Sequence, residues 1–131
     1  MATRDQAEFY RRFIIDEWRM TENLGAPHHS RSIRDGALVD FIASRMADGI
    51  ARGTDPPTVA GTALWQIVSP HPFSDCNHRS GYLVCRVLME QAGWRLNVTY
   101  ASVVTFVRAI DRLGFTRNRV VQWVRDSFTP A

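Results

Sequence analysis

Apolar residues recur at every third or fourth position along most of this chain, and that period is typical of helices that bury one face. Alternating runs long enough for a sheet are lacking in the sequence. The pattern predicts an all-α fold, a compact bundle of about six helices in a single domain over residues 1–131. Residues 1–30 contribute a helix and a loop to it. The helices are expected at residues 5–20, 36–50, 58–69, 78–92, 101–113 and 117–128.

Local residue types refine this pattern. Helices 58–69 and 78–92 are apolar on nearly all sides and should lie at the centre of the bundle. The expected capping residues are Asp5, Asp35, Thr99 and Thr116. Apolar faces of the outer helices are expected to include Phe9, Phe13, Ile14, Trp18, Leu38, Phe41, Ile42, Met46, Val103, Val104, Val107, Ile110, Leu113, Val120, Val124 and Phe128.

Composition narrows the class of protein. The chain has 131 residues, 45% of them hydrophobic, and a formal net charge of +3, which excludes a disordered chain and a polycation. All basic residues are arginines, scattered along the sequence, so no nucleic-acid partner is expected. Long apolar stretches are missing, and Cys76 and Cys85 form no disulfide framework. We expect no membrane association and a cytoplasmic location.

Residues 71–82, HPFSDCNHRSGY, concentrate the polar chemistry of the chain. They precede a central helix, whose first turn presents backbone N–H groups and the positive end of the helix dipole to an anion. Arg79 adds a charged fork suited to phosphate oxygens. Asp75 is a hard oxygen ligand for Mg²⁺, and His71 can act as a general base. Together these groups indicate phosphoryl-type transfer.

Other interpretations of the same residues stay open. A histidine beside a proline is often structural, and Asp75 or Asn77 alone would serve as a helix cap. His71, Cys76 and His78 together offer the ligand types of a transition-metal site.

The segment HPFSDCNHR resembles the signature of the Fic/Doc family. The residues that match in register are His71, Pro72, Phe73, Asp75, Asn77 and Arg79. Residues 33–46 resemble the segment that precedes the target-docking flap of Doc-type members, and AGTALWQIVSPHPF resembles the buried helix that leads into their motif. The resemblance implies the same helical fold, with a short flap before the central helix.

The resemblance also implies an activity and a role for each motif residue. The activity is transfer from ATP or another nucleoside triphosphate, with Mg²⁺, to a hydroxyl side chain of a target protein, for which a translation factor is one candidate. His71 would be the catalytic base, Phe73 the anchor of the motif loop and Asp75 the metal ligand. The nucleotide and phosphate ligands would be Cys76, Asn77, His78 and Arg79.

Three positions depart from the family pattern. Cys76 replaces glycine or alanine, and His78 stands where adenylylating members have glycine and Doc-type members have lysine. Tyr82 stands where adenylylating members have a second arginine. These differences favour Doc-like phosphorylation by a toxin, restrained by a separate antitoxin protein because the chain has no inhibitory motif of its own. The alternatives are a protein adenylyltransferase and a degenerate member that binds a nucleotide or partner without turnover.

Overall fold

The computed structural model describes residues 2–22 and 31–131. Within them the chain forms six helices and one pair of short strands, so the predicted all-α bundle is confirmed. The helices are α1 (Arg4–Arg19), α2 (Gly36–Ala51), α3 (Pro56–Val68), α4 (Asn77–Gln91), α5 (Tyr100–Arg112) and α6 (Arg117–Ser127). The strands are β1 (Trp94–Leu96) and β2 (Phe128–Pro130).

Side-chain caps fix most of the helix starts. Asp35, Thr99 and Thr116 cap α2, α5 and α6 as expected, each accepting a hydrogen bond from a first-turn N–H. The expected cap at Asp5 is wrong, because Thr3 caps α1 and forms a reciprocal pair of hydrogen bonds with Gln6.

The helix predicted from residue 58 begins two positions earlier. Asp55 caps α3, and Pro56 and Pro57 occupy its first turn. Proline is tolerated there because the N–H group it lacks would have no partner within the helix. The prolines therefore belong to the first turn of the helix, whereas the sequence pattern placed them before its start.

The strands β1 and β2 pair antiparallel, with Leu96 opposite Phe128. The sequence pattern did not predict them and extended the last helix to residue 128, but α6 ends at Ser127. Each strand has three residues, too few for an alternating pattern, and their pairing joins distant parts of the chain. Phe128 is nevertheless buried.

The helices α3 and α4 form the centre of the bundle, as predicted, with α1 and α2 packed on one side. Along α3 nearly every side chain is buried. Three residues expected on buried faces are exposed: Phe9, Phe41 and Leu113. In α1 and α2 the neighbouring Ile15, Val39 and Ala43 are buried instead, because the contact faces of these helices are rotated relative to the stripe read from the sequence. Leu113 lies one residue beyond the end of α5.

The segment between α2 and α3 comprises only residues 52–55 and is a tight turn, so no flap lies there. Instead, residues 31–35 run beside the motif loop, and Ile33 pairs antiparallel with Phe73. Among the described helices, none is long and apolar enough to cross a membrane.

Candidate functional site

The motif loop, residues 69–76, joins the two central helices, α3 and α4. His71 and Cys76 both have left-handed backbone conformations, with φ of 55° and 54°. Such a conformation costs a side-chain-bearing residue about 1–2 kcal/mol, and glycine pays almost none of it. This explains physically why glycine suits position 76. Residues held in this region are often found at functional sites.

Phe73 anchors the loop in the core. Its side chain is fully buried and stacks on the Trp18 ring, with the ring centres 4.6 Å apart. The loop is also joined to residues 31–35 by hydrogen bonds from the backbone N–H groups of Arg34 and Asp35 to the carbonyl oxygen of Pro72. The conformation of the loop is therefore fixed by packing and by backbone hydrogen bonds.

Asn77 closes the loop from the other side. Its amide oxygen accepts a hydrogen bond from the Phe73 N–H, and its amide nitrogen donates to the Phe73 carbonyl oxygen, both at 3.0 Å. The side chain is buried. It therefore shapes the loop, and only the backbone N–H of Asn77 is placed to serve as the phosphate ligand that the sequence led us to expect.

Asp75 has partners that the sequence did not indicate. Arg31 Nε lies 3.0 Å from Asp75 Oδ1 and 3.2 Å from Oδ2, and Trp18 Nε1 donates to Oδ1 at 3.2 Å. The Arg31 guanidinium also lies over the Trp18 ring. An Mg²⁺ ion at Asp75 would have to share the carboxylate with these donors or displace them. The expected role of Asp75 as the Mg²⁺ ligand therefore stays a prediction.

We predict that Asp75→Asn lowers the free energy of unfolding by about 1.5–3 kcal/mol, the range for hydrogen bonds to charged groups. The Asp75 side chain is only 18% exposed, so solvent replaces its partners poorly. The matched control is Asp40→Asn, which breaks an ion pair with Arg11 where the acid is 62% exposed, and should cost under about 1 kcal/mol. Urea unfolding of both variants measures the difference, and equal losses would contradict the structural role of Asp75.

His71 forms part of a cluster completed by a residue from α5. His71 Nε2 lies 2.9 Å from Asp111 Oδ2, and His78 Nε2 lies 2.8 Å from Asp111 Oδ1. Burial by itself would raise the pKa of Asp111, but the hydrogen bonds from His78 and His71 outweigh it and hold that pKa below its usual value. Asp111 is therefore a carboxylate at neutral pH, bridging two imidazoles.

Asp111 determines which nitrogen of His71 can act as a base. A carboxylate only accepts hydrogen bonds, so His71 Nε2 must carry a proton to donate to it. In the neutral ring the lone pair then lies on Nδ1. The aspartate of a catalytic triad orients its histidine in the same way, by accepting a hydrogen bond from one ring nitrogen. Sequence analysis missed Asp111 because it lies on a different helix and belongs to no local motif.

The first turn of α4 faces this cluster without a side-chain cap. Cys76 occupies the N-cap position and makes no capping hydrogen bond from its side chain. The amide groups at the start of a helix have no partner within it, so those of Asn77 and His78 remain suited to an anion. Cys76 itself is not part of the His71, His78 and Asp111 cluster.

A groove between α4 and α5 begins at His78 and Arg79 and has a volume of about 150 Å³. Tyr82 is 5% exposed, and its hydroxyl has no hydrogen-bond partner among the residues that the structure describes. Burial raises the pKa of this hydroxyl, so it remains a donor at neutral pH. The other residues that line the groove are Tyr100, Val103, Val104, Val107 and Arg108.

This groove combines an apolar floor with two arginines, the mixture expected of a site for a small anionic ligand. Its volume accommodates part of a nucleotide. A larger cavity of about 330 Å³, lined by residues including Phe13, Val59 and Leu88, contains none of the motif residues and is mostly apolar. We therefore place the candidate site at the groove and the motif loop.

Comparisons with known proteins give no identification, since no family model and no curated protein matches this chain.

Proposed function

We propose that this protein is a Fic/Doc-type transferase that phosphorylates a hydroxyl side chain of a target protein, with a nucleoside triphosphate as donor. The observation that carries the proposal is the hydrogen bond from His71 Nε2 to Asp111, which leaves Nδ1 as the proton acceptor. This base lies in the segment that resembles the family signature. Asp111 links it to His78, which lies at an uncapped helix start and lines a groove together with Arg79 and Arg108.

The transfer step uses these groups in defined roles. The oxygen of the target hydroxyl forms a bond to the γ-phosphorus, while its proton moves to His71 Nδ1. The bond from the γ-phosphorus to the bridging oxygen breaks, and its electron pair leaves with the nucleoside diphosphate. Asp111 stabilises the imidazolium that results.

Charge on the transferred group is met by donors that stay in place during the reaction. These are the first-turn amides of α4 and the guanidinium of Arg79. The nucleotide would arrive as its Mg²⁺ complex, and an ion that used Asp75 would have to share this carboxylate with Arg31.

One observation favours a second candidate function, a domain of the same fold that binds a nucleotide or partner without turnover. The Asp75 carboxylate pairs with Arg31 and Trp18, so a catalytic metal ion at this residue would have to compete with both partners. Transfer of AMP instead of phosphate is a further alternative, and the same experiment separates all three.

The test uses ATP labelled either at the γ- or at the α-phosphate, added with the purified protein to a cell lysate. We expect a protein band labelled from γ-labelled ATP only, and no band with His71→Ala. Label from the α-position would indicate adenylylation and overturn the phosphotransfer proposal. Blank lanes with both labels, together with calorimetric binding of ATP, would support the binding domain.

Control of such an activity would come from outside the chain. We propose that the protein is the toxin of a toxin–antitoxin pair in the cytoplasm, held inactive by a separate antitoxin protein. Growth arrest that requires His71 when the protein is expressed alone would support this role, and normal growth would count against it.

A further inference from the structure

We propose that His71, His78 and Asp111 form a binding site for a divalent transition-metal ion of the zinc class. The three residues come from the motif loop, the first turn of α4 and the end of α5. Their ligand atoms all lie within 4.8 Å of one another. No other group of three such ligands occurs among residues 2–22 and 31–131.

The cluster brings the three ligand atoms close together, and an ion would replace its two hydrogen bonds. Tetrahedral zinc, with ligands at about 2.0–2.1 Å, sets ligand atoms roughly 3.3 Å apart. His71 Nε2 lies 2.9 Å from Asp111 Oδ2 and His78 Nε2 lies 2.8 Å from Oδ1, so the carboxylate must turn to present one oxygen to the ion and both contacts must open. The imidazole rings lie edge to face, with centres 5.7 Å apart, so they do not block each other's approach to a shared ion.

The donor set selects the class of metal. Two imidazole nitrogens and one carboxylate oxygen are the ligands of open zinc sites, which keep a fourth position for water or another ligand. Magnesium and calcium prefer oxygen ligands throughout. The three side chains are 36%, 37% and 25% exposed, so an ion can enter from solvent and keep a water molecule.

The charges around the site affect which ligand takes the fourth coordination position of the metal ion. Asp111 supplies one negative charge, and neutral imidazoles supply none. Arg79 and Arg108 line the adjacent groove, and their positive charge favours an ion that also carries an anionic ligand such as chloride.

Metal binding would change the chemistry of His71. An ion on Nε2 requires the proton to lie on Nδ1, so the ring loses the lone pair that would accept the proton of the target hydroxyl. Zinc should therefore inhibit phosphotransfer, a consequence that rests on the proposed function, whereas metal binding itself does not.

The experiment titrates the whole protein with Zn²⁺ in chloride buffer, using competition with a chromophoric chelator and isothermal calorimetry. We expect one ion per chain, with binding at least about tenfold weaker in His78→Ala and in Asp111→Asn. Two control variants should bind like the wild type. They are Cys76→Ser and the double variant His28→Ala/His29→Ala, which removes the remaining histidines of the sequence.

Cobalt provides a second readout that does not require a variant to fold. Co²⁺ bound to the wild type should give visible absorption bands of a low-coordinate site, without the near-ultraviolet charge-transfer band of a thiolate ligand. A thiolate band, or loss of binding in either control, would overturn the proposal. So would the absence of Zn²⁺ binding, or equal binding by wild type, His78→Ala and Asp111→Asn.

The two proposals fail in different ways. If the protein binds zinc but transfers no label from ATP, the metal site stands and the phosphotransferase does not. If it transfers label and binds no zinc, the phosphotransferase stands and the metal site does not.

Discussion

Asp111→Asn is expected to slow phosphate transfer on the order of 10²-fold, the lower end of the contribution of a positioned general base. The amide would still fill the space between His71 and His78, but it cannot neutralise an imidazolium. Its NH₂ group could also donate to His71 Nε2, which would put the ring in the wrong tautomer. The measurement is the initial rate of labelling from γ-labelled ATP, with Mg²⁺ in excess and a chelator selective for transition metals to keep the cluster free of zinc.

The control for this prediction is Asp126→Asn. Asp126 is an exposed acid on α6 that accepts a hydrogen bond from Gln122, so its loss should leave the rate unchanged. A double variant, His71→Ala with Asp111→Asn, should be no slower than His71→Ala alone, because residues that act as a unit are not additive. If Asp111→Asn retains the full rate while His71→Ala loses it, Asp111 does not position the base.

Phe73→Ala should lower the free energy of unfolding by about 3–5 kcal/mol, the cost of removing a large buried aromatic side chain. Phe73 is fully buried and stacks on Trp18, so alanine leaves a cavity where the loop meets the core. A typical domain has only about 5–15 kcal/mol of stability, so the loss is a large part of the total. Urea unfolding followed by circular dichroism measures it.

Phe9→Ala is the matched control, since Phe9 is 65% exposed and its removal should change stability by at most about 0.5 kcal/mol. Phe73→Leu should have an intermediate cost, because it keeps much of the buried volume. Similar losses for Phe73→Ala and Phe9→Ala would show that the anchor contributes little to the fold.

The sequence predicted the helices well because helix formation is largely local. The caps at Asp35, Thr99 and Thr116 each act within one turn, so the sequence around them is sufficient to place a helix start. The pattern failed for β1 and β2, whose pairing depends on residues far apart in the chain. It also failed for Phe9. The spacing of apolar residues indicates that a helix has an apolar face, but it does not show which edge of that face meets the core.

The candidate site was predicted in part. The sequence alone determined the bundle and the concentration of polar groups in HPFSDCNHRSGY, since both are patterns of neighbouring residues. Only the tertiary structure decided that Asp75 pairs with Arg31, that Asp111 joins His71 to His78, and that the Tyr82 hydroxyl is buried without a partner among the described residues. Those contacts join separate helices and loops, and the packing of the bundle sets which side chains meet.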